Sequence, residues 1–205
     1  MTQARPYAGV EASDRLATRR DRLLRAGLQL LGGTVDPPEL TVRGICTEAG
    51  LATRYFYESF ADKDEFIAAV FDWVVGTLAG GTQAAVSAAP AAEQTRAGMA
   101  TIVQIIDADP RIGRLMFNSR LSNATVMRKR VESSALFAML SGQHAETVLQ
   151  RRANERIKAG AQFVVGGVAQ TISAWLAGDV RLDADELVDQ LTAMIDGVAK
   201  PRLYD

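Results

Sequence analysis

The chain has 205 residues, enough for one compact unit or two small ones with a real core. With 48% hydrophobic and 23% charged residues it reads as globular, and no apolar run approaches the roughly 18 residues of a membrane span. A formal net charge of -1 excludes a chain that is basic throughout, so any polyanionic partner has to be met by a local patch.

The single cysteine, Cys46, excludes an intrachain disulfide and fits a reducing compartment. Residues 1–14 lack the apolar stretch of a signal peptide. The expectation is a soluble, cytoplasmic protein with no membrane partner.

In chain order, residues 1–12 read as a flexible arm. Ser13 or Asp14 can cap a helix that runs to about Leu31, with Leu16, Leu23, Leu24, Leu28 and Leu31 on one side. Arg15, Arg19, Arg20, Arg22 and Arg25 fall elsewhere on its surface. Between Arg15 and Arg54 there are seven arginines and four acids, a local excess of +3 that an ordinary solvated face also explains. Thr41 can cap the next helix, with Leu40 and Ile45 placed as a hydrophobic staple. Gly50 follows its end, where a left-handed backbone suits glycine. A second short helix covers Thr53 to Glu58. Asp62 and Glu65 have the spacing of a cap and its third-position partner, so a further helix starts at Lys63. Helix, turn and helix at this spacing lay a helix in the major groove of DNA. Arg5 could reach DNA from the arm.

The rest reads as helical throughout, with no strand-period segment. The Lys63 helix runs to about Leu78. Residues 79–92 either extend it or form a loop before Pro90. A helix follows over 91–107, and Asp109 with Pro110 opens a short one. Ser122 or Asn123 begins a long helix to about Arg152. The next, over 153–177, is apolar or small around almost its whole circumference from Ala159 to Leu176, so it must be buried on more than one side. Asp183 and Glu186 cap the last helix, with Leu182 and Leu187 as its staple. The architecture expected is all-α: a helix-turn-helix head over residues 13–62 and a helical body over 63–205.

Thr41-Val42, Ile45, Ala49-Gly50-Leu51, Tyr57, Phe60, Lys63 and Phe66 carry a resemblance to the N-terminal DNA-binding domain of the TetR family of bacterial transcriptional regulators. Departures are Cys46, where alanine is common, and Ala52, where serine often caps the recognition helix. The resemblance extends upstream over 19–31 and weakens beyond residue 70. It implies a homodimer on a DNA operator of dyad symmetry, paired through the last two long helices. It also implies a body that takes a small molecule and lets go of DNA in response, a repressor by default; the alternatives are a helix-turn-helix regulator with no small-molecule effector, or an activator. No cofactor or metal is expected.

The DNA-facing set is Thr41, Arg43, Thr53, Arg54, Tyr55, Tyr57 and Lys63. Arg54 suits guanine, since a guanidinium meets O6 and N7 together; the alternative is a phosphate contact. The resemblance gives Tyr57 and Lys63 to phosphates. Thr41 serves a phosphate or only its cap. Candidate cavity walls are Trp73, Met99, Ile102, Ile106, Met116, Phe117, Met127, Phe137, Met139, Phe163 and Trp175; such residues also build plain core. Asn118, Gln143, His144, Gln162 and Gln170 could orient a ligand, whose mostly apolar character is read from these walls. The expected dimer face is Gly160, Val164, Gly167, Val168, Thr171, Trp175, Leu187, Leu191, Met194 and Ile195, unless the body itself covers it. An enzyme is disfavoured: one histidine and one cysteine in different regions build neither a metal cluster nor a Cys-His pair, and no P-loop or GxGxxG occurs. A helical dimer whose head binds protein would expose an apolar patch in place of Arg54, Tyr57 and Lys63.

Overall fold

The computed structural model describes residues 7–34, 37, 39–118, 120–121, 123–150, 152–200 and 203, with side chains from residue 13 onward. Among the described residues there are nine α-helices and no strand. They are α1 (Tyr7–Gly32), α2 (Val42–Ala49), α3 (Thr53–Tyr57), α4 (Lys63–Ala88), α5 (Gln94–Ala108), α6 (Pro110–Phe117), α7 (Ala124–Leu149), α8 (Glu155–Ala177) and α9 (Ala184–Val198). No helix is long and apolar enough to cross a membrane among the described residues.

Short-range polar chemistry sets most boundaries. Thr41 accepts from the Gly44 amide at 3.0 Å and opens α2. Asp62 accepts from Glu65 N at 2.8 Å and opens α4, while Glu65 reaches back to Ala61 N at 2.7 Å, one residue beyond the usual box. Asp109, Asn123 and Asn154 cap α6, α7 and α8. Asp183 and Glu186 close a full capping box on α9.

One boundary differs from the sequence reading, and one that it leaves open is decided. α1 begins at Tyr7, so the second half of the expected arm is helical; Arg5 lies outside the described residues. α4 continues through Gly80-Gly81 to Ala88. Packing explains this: Gly81 and Gly98 lie where α4 and α5 approach, each facing side chains of the other helix. Tertiary contact there outweighs the cost of glycine in a helix. A 3-10 turn, Ala91–Glu93, then leads into α5.

The core starts in the head and runs unbroken into the body. Phe56, Phe60 and Phe66 pack ring to ring, and with Leu23 and Ile45 they are all but fully buried. Val70, Phe71 and Val74 carry the core along α4, and Ile106, Ile112 and Leu115 continue it in α5 and α6. At Gly27, α1 lies so close to α4 that a Cβ would collide with Val70 and Phe66. α6 packs against both α1 and α8, so it ties the first helix to the body.

Candidate nucleic-acid interface and ligand cavity

The turn between α2 and α3 is built by Gly50, at φ 62°, and by amides of Gly50 and Leu51 that return to Thr47 O at 3.1 Å and Cys46 O at 2.9 Å. α3 follows without a side-chain cap, since Ala52 has no oxygen to offer. Phe56 points inward, which leaves Thr53, Arg54 and Tyr57 outward, Tyr57 at 60% exposure. Burial pushes the Cys46 thiol up, opposed by a hydrogen bond with Thr53 that joins the two helices.

The arginines of α1 are struts of this unit as well as surface charge. Arg22 Nη2 donates to Ala49 O at 2.7 Å and Gly50 O at 3.2 Å, taking carbonyls that the end of α2 leaves without partners. Arg20 donates to Ser59 O at 2.9 Å and lies 4.4 Å over the Phe60 ring. Arg19 sits 4.0 Å over Tyr55 and pairs with Glu58 at 3.2 Å. Sequence reading left all three on a generic basic face. A usable signal was their position on the long helix before a turn rich in unpaired carbonyls.

All seven expected DNA residues lie on α2 or its cap, on α3, or at the start of α4, and none belongs to the core. Thr41 spends its hydroxyl on the cap. Arg43, Thr53 and Arg54 are exposed. Arg54 Nη2 donates to Tyr55 Oη at 2.6 Å, which lowers the tyrosine pKa from its ordinary value. Tyr55 is thereby held between two guanidinium groups, those of Arg19 and Arg54. Lys63 is half-buried, its Nζ 3.7 Å from Glu39.

In the body, α4, α5, α7 and α8 surround a cavity of about 540 Å³, within the range of small-molecule sites. Of the candidates from the sequence, Met99, Ile102, Met116, Phe117, Phe137, Gln143 and His144 line it. Other expected wall residues lie elsewhere. Ile106 is fully buried core. Trp73 packs on the core beneath Arg25, 5.7 Å away. Phe163 is 69% exposed and Met139 52%. Gln162 is exposed and Asn118 half-buried, both off the cavity. Met127 and Gln170 border a shallower hollow that shares Met116, Phe117, Arg130 and Ala169 with the cavity. Trp175 donates its indole N–H to Leu182 O at 2.9 Å.

The expected dimer face also divides. Leu187 and Leu191 are buried inside the protomer, because α9 packs its apolar stripe on α5. Val164, Val168 and Ile195 turn toward the cavity. Gly160, Thr171 and Trp175 are half-buried. Gly167, with Phe163 and Gly166 on an exposed stripe of α8, and Met194 of α9 do lie outside. A helix this apolar has two buried-type faces, and periodicity alone assigns neither to cavity or surface.

No family model and no curated protein matches the sequence. Solved structures do match over nearly the whole chain. The fatty acid degradation regulator FadR from Bacillus halodurans is 16% identical, covers 96% of this chain and 98% of its own, and superimposes with a TM-score of 0.73. FadR from Bacillus subtilis, solved in complex with stearoyl-CoA, is 15% identical, covers 85% and 96%, and has a TM-score of 0.71. A TetR-like transcriptional regulator from Rhodococcus sp. RHA1 is 18% identical, covers 89% and 97%, and has a TM-score of 0.67. The chain has the TetR fold. Within this TetR-type body, the sequence missed polar lining residues, among them Thr82, Arg130, Ser133, Ser134 and Ser141. On α7 they recur with Phe137 and His144 at three- and four-residue spacing, the signal that a mixed helix face borders a cavity.

Proposed function

We propose that the chain is a sequence-specific DNA-binding transcriptional regulator, a homodimeric repressor released from its operator by a small, mostly apolar ligand. Residues 13–62 act as the DNA-binding domain and 63–205 as the ligand-binding and dimerisation domain. The observation that carries the reading is the α2–turn–α3 unit. It is held rigid by Thr41, Gly50 and the α1 arginines, and it turns Thr53, Arg54 and Tyr57 outward. In the groove Arg54 leaves Tyr55 for guanine, while Tyr57, Lys63 and Arg43 meet phosphates.

The exposed stripe of α8, with Phe163, Gly166 and Gly167, and Met194 of α9 pairs two copies. Small residues let two helices approach closely, and Phe163 gains from burial there. A two-fold dimer asks for an operator with dyad symmetry, its half-sites about one helical turn or more apart. The cavity supports an effector, and the likeness to a regulator that binds stearoyl-CoA supports one with an acyl chain.

Selection of bound duplexes from a random DNA library at near-physiological salt tests this. A palindrome is expected. If folded, ligand-free dimer enriches no motif, the head is not a DNA reader.

A further inference from the structure

α7 borders the cavity from Arg130 to Thr147, a length of about 25 Å at the helical rise. The two ends differ. Near Arg130 the walls are the buried Leu78, Met116 and Ile172; near Thr147 they are the exposed Gln83, Ser87 and Gln143. The Thr147 end is the mouth; at the far end Arg130 also borders the shallower hollow beside Met127 and Gln170. Between them the lining is mainly apolar, with Met99, Ile102, Phe137 and Val168.

Arg130, half-buried at that far end, has no counter-ion among the described residues. Its Nη2 donates to Leu115 O at 2.8 Å and Asn118 O at 2.9 Å, and Nη1 reaches Leu121 O only at 3.4 Å. Its Nε is buried and has no acceptor. Among the described residues no carboxylate pairs with it. The adjacent Lys129 takes both Asp72 and Glu132. Arg19, Arg25, Arg96 and Arg111 each have an acid of their own. Burial lowers the Arg130 pKa from its ordinary value, yet a guanidinium keeps its proton in a protein. The α6 carbonyls solvate part of the charge, as a helix C-terminus does. A partly buried charge that has only carbonyls for partners gains when something of opposite sign joins it.

We infer that the cavity takes a long-chain carboxylate, with its head group against Arg130 and its chain extended toward the mouth. The inference rests on the reading of the cavity as an effector site and names the chemistry of that effector. A carboxylate is planar, like guanidinium, and accepts charge-assisted bonds from it. The apolar walls then cover the chain.

Microcalorimetry on the full-length protein tests it with hexadecanoate, hexadecanol, hexadecyltrimethylammonium and hexadecanoyl-CoA, each below its micelle concentration. Hexadecanoate should bind about tenfold or more tighter than hexadecanol, consistent with one charge-assisted contact. The cation should bind weakest. In R130Q the acid's advantage should vanish while hexadecanol affinity stays. Equal binding of acid and alcohol by the native protein would overturn the pairing and leave the effector cavity standing. Preference for hexadecanoyl-CoA over the free acid would put the head at the mouth and overturn it also. If no chain binds, the effector reading fails and the inference with it. Arg130 also holds α6, so the comparison on native protein decides alone if R130Q does not fold.

Discussion

In the head, Phe56, Phe60 and Phe66 fill the space between α1, α3 and α4 with ring centroids 5.1 to 5.6 Å apart. Arginines from α1 meet carbonyls at the ends of α2 and α3. In the body, helices of the same kind leave about 540 Å³ open, and a half-buried guanidinium there has carbonyls but, among the described residues, no acid. The difference teaches what each region can do. A filled core has one arrangement, which suits a reader of fixed geometry. An open core with a charge in want of a partner can respond to a ligand.

The sharpest way to break this contrast is the same deletion in both regions. Phe66→Ala should cost about 3 to 5 kcal/mol in urea unfolding, because the ring touches two others and nothing can collapse into its place. Phe137→Ala, beside space that already exists, should cost about half of that or less. Equal losses would mean that the cavity wall is packed as tightly as the head.

Arg22→Ala comes next. Losing the bonds to Ala49 O and Gly50 O should cost about 1 to 2 kcal/mol, less than a buried charge-assisted bond because Arg22 is solvent-accessible. DNA affinity should fall with it, while the circular dichroism of the body holds. A neutral result would make Arg22 ordinary surface charge.

Much of the fold was legible because its causes are local. Thr41, Gly50, Asp62, Asp109 and Asp183 act within three or four residues, so spacing alone places the helix ends they set. Residues 79–92 stay undecided between helix and loop in the sequence, because Gly80-Gly81 disfavours a helix until α5 is set against it. Leu187 and Leu191 were read as interface because an apolar stripe says only that something covers it; here α5 does. The head candidates all fall on the helix-turn-helix and its flanks because two short helices and a glycine turn determine a small unit. Cavity residues come from helices distant in sequence, and Arg130 or Ser133 gives no sign of facing inward until those helices meet.

The smallest expected effect lies where the two regions join. Hydrogen bonds from Arg111 hold the Asp109 carboxyl below its ordinary range, and Arg111 also donates to Gln29 of α1. A carboxylate depressed in the folded state contributes stability above its unfolded pKa, and that contribution disappears as pH falls through the folded value. Asp109→Asn can still cap α6, so it should cost about 0.5 to 1 kcal/mol at neutral pH. The gap to native protein should close below about pH 4 as the carboxyl takes its proton. A gap that persists in acid would assign the effect to the cap and not to charge.

The most direct test of the account compares duplex selection for the native protein and Arg54→Ala side by side. Both should return the same palindrome, with the variant relaxed at one symmetry-related pair of positions and weakened there by about 1 to 3 kcal/mol per contact. An unchanged motif, or a uniform loss across all sequences, would contradict the assignment of α3 and Arg54 as the reader.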